Sequence, residues 1–106
     1  MMGAAMTITT RHDDNGGVEL AAVGELDLST IDQFTGALQS AAEHAGPGRT
    51  LTLDLSGVEY LDSAAINALF AQAGRINRIV VHPLLMRGLT ISGLDQIVEV
   101  QPATVP

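Results

Sequence analysis

The sequence predicts a single α/β domain with a mixed sheet and helices mainly on one side, and three observations support this. Segments of strand character alternate with segments of helical periodicity in the order β-β-α-β-α-β-α-β. Leu51, Leu53 and Leu55 alternate with polar residues, so this strand has one buried face and one wetter face. A length of 106 residues fits one compact domain.

The first two strands are predicted on either side of a turn. Residues 8–10 and 18–23 have strand character, and Asp13-Asp14-Asn15-Gly16-Gly17 between them is typical of a hairpin turn. Gly24-Glu25-Leu26-Asp27 then follows as the exit from the second strand.

The first helix has a start signal and a stop signal. Ser29 or Thr30 can cap it, with Asp32 or Gln33 three positions later completing a capping box. Apolar residues at helical spacing follow, and Gly46-Pro47-Gly48 stops the helix.

The second half of the chain continues the alternation. It is predicted to contain a strand over 50–55, a helix opened by Asp62-Ser63 and running to about Ala73, a strand over 76–81, a short helix over 84–89 and a strand over 97–100. The tail from Gln101 to Pro106 is expected to be loose.

The composition excludes several classes of function. Twelve acidic and five basic residues give a net charge of −7, which argues against nucleic acid as a partner and against attachment to anionic lipid. There is no cysteine, which excludes disulfides and thiolate sites, and no apolar run reaches the roughly 18 residues of a membrane span. Without a signal peptide pattern, the expected location is the cytoplasm, with no membrane insertion. Charged residues make up only 16%, so part of the surface is expected to meet a partner.

No motif predicts an enzyme, a cofactor or a metal site. Phosphate-binding and nucleophile motifs are absent, and no histidine near Ser63 in sequence would activate it as a nucleophile. The three histidines fall in different elements without the spacing of metal ligands, and we expect each on the surface: His12, His44 and His82. Three acids could cluster at strand ends around a divalent cation: Asp27, Asp54 and Asp62. The preferred interpretation of Asp54 is instead an outward-facing position on its strand.

The second helix has two faces of different character. A helical projection places the large apolar residues on one face: Ile66, Leu69 and Phe70, together with Ala73. The opposite face carries small or uncharged residues where a solvated helix normally carries charges: Ala64, Asn67, Ala68, Ala71 and Gln72. This face is predicted to bind a partner, and the alternative is an alanine-rich helix with nothing docked on it.

Ser63 at the head of this helix has two interpretations. Either Asp62 or Ser63 is simply the N-cap. Alternatively, the Ser63 hydroxyl is presented at a helix N-terminus for phosphorylation, which would add about −1.5 to −2 charges beside Asp62.

Three stretches together resemble the signatures of the STAS domain family. They are Gly24-Glu25-Leu26-Asp27, the stretch Leu53-Asp54-Leu55-Ser56-Gly57-Val58-Glu59-Tyr60-Leu61-Asp62-Ser63, and Ser92-Gly93-Leu94. The resemblance covers roughly residues 7–100, so residues 1–106 are interpreted as a single STAS domain. It implies a sheet of four or five strands with helices on one side.

The resemblance also implies a role. Stand-alone bacterial members are typically anti-sigma factor antagonists, which bind an anti-sigma factor of kinase-type ATP-binding fold and thereby release a sigma factor. The kinase phosphorylates a Ser or Thr, which ends the complex, and a phosphatase restores it. In this sequence the phosphoacceptor is Ser63, the preceding acid is Asp62, and the acid near the phosphorylation site is Asp27.

The sequence departs from the family pattern in three places. Ala64-Ala65-Ile66 stands where the family usually has Ser/Thr/Ala-Gly-Leu/Ile, with Ala65 projected at the border of the two helix faces. The interval from Ser63 to Ser92 is short, so either the helix loses turns or 75–81 is not a full strand. A C-terminal helix has almost no sequence left to form it.

These departures support an alternative of another class, a constitutive STAS subunit of a membrane assembly such as a lipid-transporting ABC complex. Neighbouring permease and ATPase genes would favour that alternative, whereas a neighbouring sigma or anti-sigma gene would favour the antagonist. A ligand-sensing STAS module is a third possibility.

Overall fold

The computed structural model describes residues 6–14, 16–46 and 48–103. Its strands are β1 (Thr7–His12), β2 (Val18–Leu26), β3 (Leu51–Leu61), β4 (Arg78–Val81) and β5 (Glu99–Pro102). Its α-helices are α1 (Ile31–Ala45), α2 (Ser63–Gln72) and α3 (Met86–Ser92). Short 3₁₀ turns occupy Ala73–Arg75, Pro83–Leu85 and Leu94–Gln96. The element order that the sequence predicts is confirmed.

The five strands form one mixed sheet in the order β1-β2-β3-β4-β5. β1 pairs with β2 antiparallel, whereas the other neighbouring strands are parallel. The carboxyl ends of β2, β3 and β4 therefore lie at the same edge of the sheet, which we call the carboxyl edge. This is the edge from which α1 and α2 start.

The hairpin turn is built by the side chain of Asp13. Its Oδ1 accepts a hydrogen bond from the Gly17 amide at 2.7 Å, and the Asp13 amide donates to the Gly17 carbonyl at 2.9 Å. Gly16 has a φ of +86°, a conformation that glycine adopts without steric cost. Asn15 of the predicted turn and Pro47 of the predicted helix stop lie outside the described residues.

The core lies between the sheet and the helices, on the face of the sheet that the alternating leucines predict. Leu51, Leu53 and Leu55 are fully buried there together with Phe34 and Leu38 of α1. The opposite face carries a row of paired polar residues across all five strands, given by the strand register: Arg11, Glu19, Thr52, Arg78 and Glu99. Alternating charges in such a row are favourable cross-strand pairs.

β3 is longer than the sequence predicts, since it continues past Leu55 to Leu61. A register shift against β2 places two buried residues, Leu55 and Val58, three positions apart instead of two. Gly57 lies at this shift, where a Cβ atom would come within 2.8 Å of Val23 Cγ2. Because periodicity of two is lost here, the alternation could not predict the rest of the strand.

Thr30 does not form the predicted capping box. It stands at the N-cap of α1, but its side chain makes no capping hydrogen bond to the helix. Thr30 is buried, and its Oγ1 donates to the Glu25 carbonyl at 2.9 Å and accepts from the Asp27 amide at 3.1 Å. The hydroxyl therefore turns inward, because the polar backbone of the tight loop after β2 needs a partner.

The second half differs from the predicted boundaries in three places. β4 has only four residues, Arg78–Val81, so the shortened interval has reduced this strand. The short helix predicted over 84–89 begins instead with the 3₁₀ turn of Pro83–Leu85 and continues as α3 to Ser92. β5 includes Gln101 and Pro102, which the sequence assigned to the loose tail, because these residues continue the ladder with β4. Residues 104–106 lie outside the described part.

Candidate functional site

Asp62 is the N-cap of α2 and ties this helix to the neighbouring loop. Its Oδ1 accepts a hydrogen bond from the Ala65 amide at 2.9 Å, and its Oδ2 accepts one from the Leu28 amide at 3.0 Å. The Asp62 amide donates to the Leu26 carbonyl at 3.3 Å. The N-cap of α2 is therefore Asp62 and not Ser63.

Ser63 is the first residue of α2, and its side chain is exposed at the carboxyl edge. The first helical position has a backbone amide without an intrahelical partner, and the positive end of the helix dipole favours an anion there. A hydroxyl in this place is accessible to an enzyme and to a phosphoryl group. The cap made by Asp62 leaves that hydroxyl free of the capping role.

Asp27 lies at the same edge of the sheet. Asp27 and Asp62 each come one residue after the last pair of the β2–β3 ladder. The register places Leu26 opposite Leu61, which makes Asp27 and Asp62 neighbours in space. Asp27 Oδ1 accepts hydrogen bonds from the Ser29 hydroxyl at 2.6 Å and the Ser29 amide at 2.9 Å. These bonds, the hydroxyl first, hold the pKa of Asp27 below its ordinary value of 3.8.

The outward line of α2 runs through residues four positions apart. Ser63, Asn67 and Ala71 are exposed, and the residues that follow each of them are partly exposed: Ala64, Ala68 and Gln72. No residue of α2 carries a charge. The predicted small and uncharged face is therefore present on the surface, directly continuous with Ser63.

The inward face of α2 differs from the helical projection. Ala65 and Leu69 are completely buried, whereas Ile66 and Phe70 are only partly buried. Ala65 therefore does not border the two faces. A projection fixes only the relative angles of the residues, and packing against the sheet selects the stripe with a small residue, which lets the helix lie close to the strands.

Exposed apolar residues surround the site, and they were not predicted from the sequence. Leu28 is 74% exposed in the loop after β2, Tyr60 is 51% exposed near the end of β3, and Leu84 is 84% exposed in the loop after β4. A shallow groove of about 100 Å³ beside α2 is lined in part by Ile66 and Leu84. Their position along the sequence could have indicated them, since each lies at or soon after the carboxyl end of a strand.

The charge of the carboxyl edge is negative. Four carboxylates lie at or directly after the ends of β2 and β3: Glu25, Asp27, Glu59 and Asp62. By contrast, four of the five arginines lie towards the opposite edge: Arg11, Arg49, Arg75 and Arg78. A phosphate on Ser63 would therefore add negative charge where it is already in excess.

Asp27, Asp54 and Asp62 do not cluster as a cation site would require. Asp54 lies within β3, in register with Ala21 and Val80, away from the carboxyl edge where Asp27 and Asp62 lie. Its Oδ1 accepts from the Ser56 amide at 2.9 Å. Across the described residues, no three His, Asp or Glu side chains are grouped so as to hold a metal ion, and no helix is long and apolar enough to cross a membrane.

Comparison with known proteins identifies relatives over nearly the whole chain. A family model described as Mlab, STAS domain, matches residues 8–99. An anti-sigma factor antagonist from Mycobacterium paratuberculosis has a similar structure, with a TM-score of 0.81 and 25% identity over 93% of this chain and 87% of that chain. No sequence among curated proteins matches this one.

The fold is also that of SpoIIAA. The Bacillus cell fate determinant SpoIIAA in its phosphorylated form has a TM-score of 0.63 and 16% identity, over 92% of each chain. The anti-sigma factor antagonist SpoIIAA in its unphosphorylated form has a TM-score of 0.68 and 17% identity, over 92% of this chain and 89% of that chain. Anti-sigma factor antagonists are thus among the proteins whose structures resemble this chain.

Proposed function

The chain belongs to the STAS domain family, and on this premise we propose that it is an anti-sigma factor antagonist controlled by phosphorylation of Ser63. In its unphosphorylated form it binds an anti-sigma factor of kinase-type ATP-binding fold and so frees a sigma factor. The kinase transfers the γ-phosphoryl group of ATP to Ser63, the complex dissociates, and a phosphatase restores the binding form.

One observation carries this proposal: Asp62 caps α2, so that the Ser63 hydroxyl is exposed beside an uncharged helix face. The relatives support it, since one is an antagonist of 25% identity and another is recorded in a phosphorylated form. The comparisons do not favour the alternative of a constitutive transporter subunit.

The binding surface that we propose joins the outward line of α2 to the exposed apolar residues of the carboxyl edge. Asn67, Ala68 and Ala71 give a shallow surface that another backbone can approach closely, and Leu28 and Leu84 add apolar area on either side. Burial of apolar area contributes about 25 cal/mol per Å², so two such side chains are useful anchors.

The switch mechanism follows from the charge of this edge. A phosphate adds about −1.5 to −2 charges at neutral pH. Asp27 and Asp62 are already negative there, so the added charge repels a partner that tolerated the neutral hydroxyl, and its bulk blocks the start of the helix face.

The test is a phosphorylation and binding assay with candidate anti-sigma factors of kinase-type fold and ATP. Mass spectrometry should locate the phosphate on Ser63, and Ser63→Ala should abolish labelling while it keeps binding. Ser63→Asp should weaken binding. Ser29→Ala is the matched control, because Ser29 is an exposed serine at the same edge and its removal should leave labelling at Ser63 intact.

Two results would contradict the proposal. If every candidate kinase leaves Ser63 unlabelled, the switch is wrong, although antagonism by binding survives. If wild type, Ser63→Ala and Ser63→Asp bind with equal affinity, Ser63 is only the first residue of α2.

A further inference from the structure

Two histidines that are far apart in sequence lie together between β1 and α1. The ring centroids of His12 and His44 are 6.1 Å apart, and the rings are inclined at 67°. His12 ends β1 in register with the buried Val18, so its side chain is on the helix side of the sheet. His44 is in the last turn of α1. Sequence spacing did not predict this pair, because a strand and a helix bring it together.

His44 is held with one ring nitrogen available. Its Nδ1 lies 2.8 Å from the Ser40 carbonyl oxygen. A carbonyl oxygen only accepts, so this hydrogen bond requires the proton on Nδ1 and leaves the lone pair of Nε2 unused. The same arrangement, with one imidazole nitrogen donating to a backbone carbonyl, orients histidines that ligate metals.

The two rings border a polar surface cleft that can hold an ion and its water molecules. A cleft of about 250 Å³ is lined by Thr10, His12, Ser40, Ala41 and His44. The hydroxyls of Thr10 and Ser40 are suited to hydrogen-bonding water molecules on a bound ion. Both imidazoles are exposed, so an ion can enter from solvent.

The separation of the rings is about 1 Å larger than a shared metal ion requires. With Zn–N bonds of about 2.0–2.1 Å and a tetrahedral angle, two coordinated imidazoles have centroids about 5 Å apart. The observed 6.1 Å needs a closure of about 1 Å, which exposed side chains achieve by small torsional changes.

We propose that His12 and His44 bind a divalent transition-metal ion of the zinc class, with water completing its coordination. Imidazole suits Zn²⁺, Cu²⁺ and Ni²⁺, and not Mg²⁺, which prefers oxygen ligands. Two protein ligands give weaker binding than a complete structural site. The ion fastens the β1–β2 hairpin to the end of α1.

This site is independent of the proposed function. β2 has nine residues, from Val18 beside His12 to Leu26 beside Asp62, and a rise of about 3.3 Å per residue places these ends about 26 Å apart. Ser63→Ala should therefore bind zinc as the wild type does. Failure of one proposal leaves the other intact.

The experiment is a titration of the full chain with zinc chloride, followed by calorimetry and by NMR of the histidine rings. We expect one ion per chain, with shifts of the His12 and His44 rings and none of His82. His12→Ala and His44→Ala each remove one of the two protein ligands, so each should weaken binding by more than the roughly 10- to 100-fold that loss of an outer-shell partner costs. His82→Ala is the matched control and should bind as the wild type does.

A second measurement distinguishes the loss of zinc binding from misfolding of a variant. Zinc should raise the melting temperature of the wild type and of His82→Ala, but not that of His12→Gln or His44→Gln, which keep a polar side chain at an exposed position. Magnesium should raise none of them. The proposal is overturned if zinc gives neither heat nor ring shifts, or if the His12 and His44 variants bind it as tightly as the wild type.

Discussion

The amide of Leu28 and the carboxylate of Asp62 are joined by a hydrogen bond of 3.0 Å between residues 34 positions apart. The same carboxylate caps α2 through the Ala65 amide. One side chain thus fixes both the start of the helix that carries Ser63 and the loop that carries Leu28. Asp62, the acid before Ser63, therefore has a structural role.

Asp62→Ala should lower the free energy of unfolding by about 1–2 kcal/mol, because it removes the cap and the bond to the loop. Asp62→Asn should fall between this variant and the wild type, since its one carbonyl oxygen can accept from only one of the two sites fully. Urea unfolding measures both. Glu59→Gln, which removes one exposed charge at the same edge, should stay within about 0.5 kcal/mol of the wild type. A wild-type stability for Asp62→Asn would show that one of the two bonds contributes nothing.

Ala65→Gly, which restores the residue usual in the family, should destabilise the fold by about 2 kcal/mol. The loss combines about 1 kcal/mol of helix propensity with about 0.8 kcal/mol for a buried methyl group. Ala71→Gly on the exposed face should lose only the propensity, up to about 1 kcal/mol. Denaturant melts of the two variants measure the difference.

Ala65→Gly also tests whether the methyl group that replaces the family glycine affects binding of a partner. Because Ala65 is completely buried, its methyl group cannot obstruct a partner, and Ala65→Gly should bind an anti-sigma factor as tightly as the wild type. Tighter binding by the glycine variant would mean that Ala65 meets the partner after all.

The sequence predicted the fold well because its strongest signals are periodic or local. The alternation over Leu51–Leu55 identified the buried face of the sheet, and Asp62-Ser63 identified the start of α2. The signals failed where tertiary packing decides. The direction of the Thr30 hydroxyl depends on the Glu25 carbonyl, which local sequence does not place beside it.

For the candidate site, the limits are of the same kind. The uncharged face of α2 could be predicted from composition and spacing, but its exact rotation could not, as Ala65 shows. The exposed Leu28 and Leu84 could not be distinguished from core residues by type. The His12–His44 pair depends on how α1 crosses β1, which no spacing along the chain reveals.

Ala71→Arg should weaken binding to an anti-sigma factor at least about tenfold, or about 1.4 kcal/mol, because it places a long charged side chain on the shallow face. Ala71 is exposed and arginine is a good helix former, so the melting temperature should hardly change. Gln39→Arg, on the exposed side of α1, is the matched control and should bind normally. Equal affinities for both variants would remove Ala71 from the proposed surface.

The low pKa of Asp27 predicts a contribution to stability that depends on pH. Its carboxylate is favoured in the fold by the Ser29 hydrogen bonds, so the folded pKa lies below the ordinary value of 3.8. The contribution is therefore present above that value and is lost as the pH falls through the folded pKa. NMR titration of the Asp27 carboxyl carbon should show this, and Ser29→Ala should raise the pKa towards 3.8. Ser40→Ala should leave the titration of Asp27 unchanged, and an unchanged titration in Ser29→Ala would remove Ser29 as the cause.

Gly93→Ala should destabilise the fold by about 1–2 kcal/mol, because Gly93 ends α3 with a φ of +88°, where a Cβ atom is strained. Gly88 lies within α3, and a Cβ atom there would meet nothing within 4 Å, so Gly88→Ala should stabilise by about 0.4–1 kcal/mol. The two variants add the same methyl group to glycines five residues apart, which isolates backbone conformation as the cause. Thermal or urea unfolding should show changes in stability of opposite sign for the two variants. If both variants change stability in the same direction, the left-handed end of α3 does not explain the glycine of the Ser92-Gly93-Leu94 stretch.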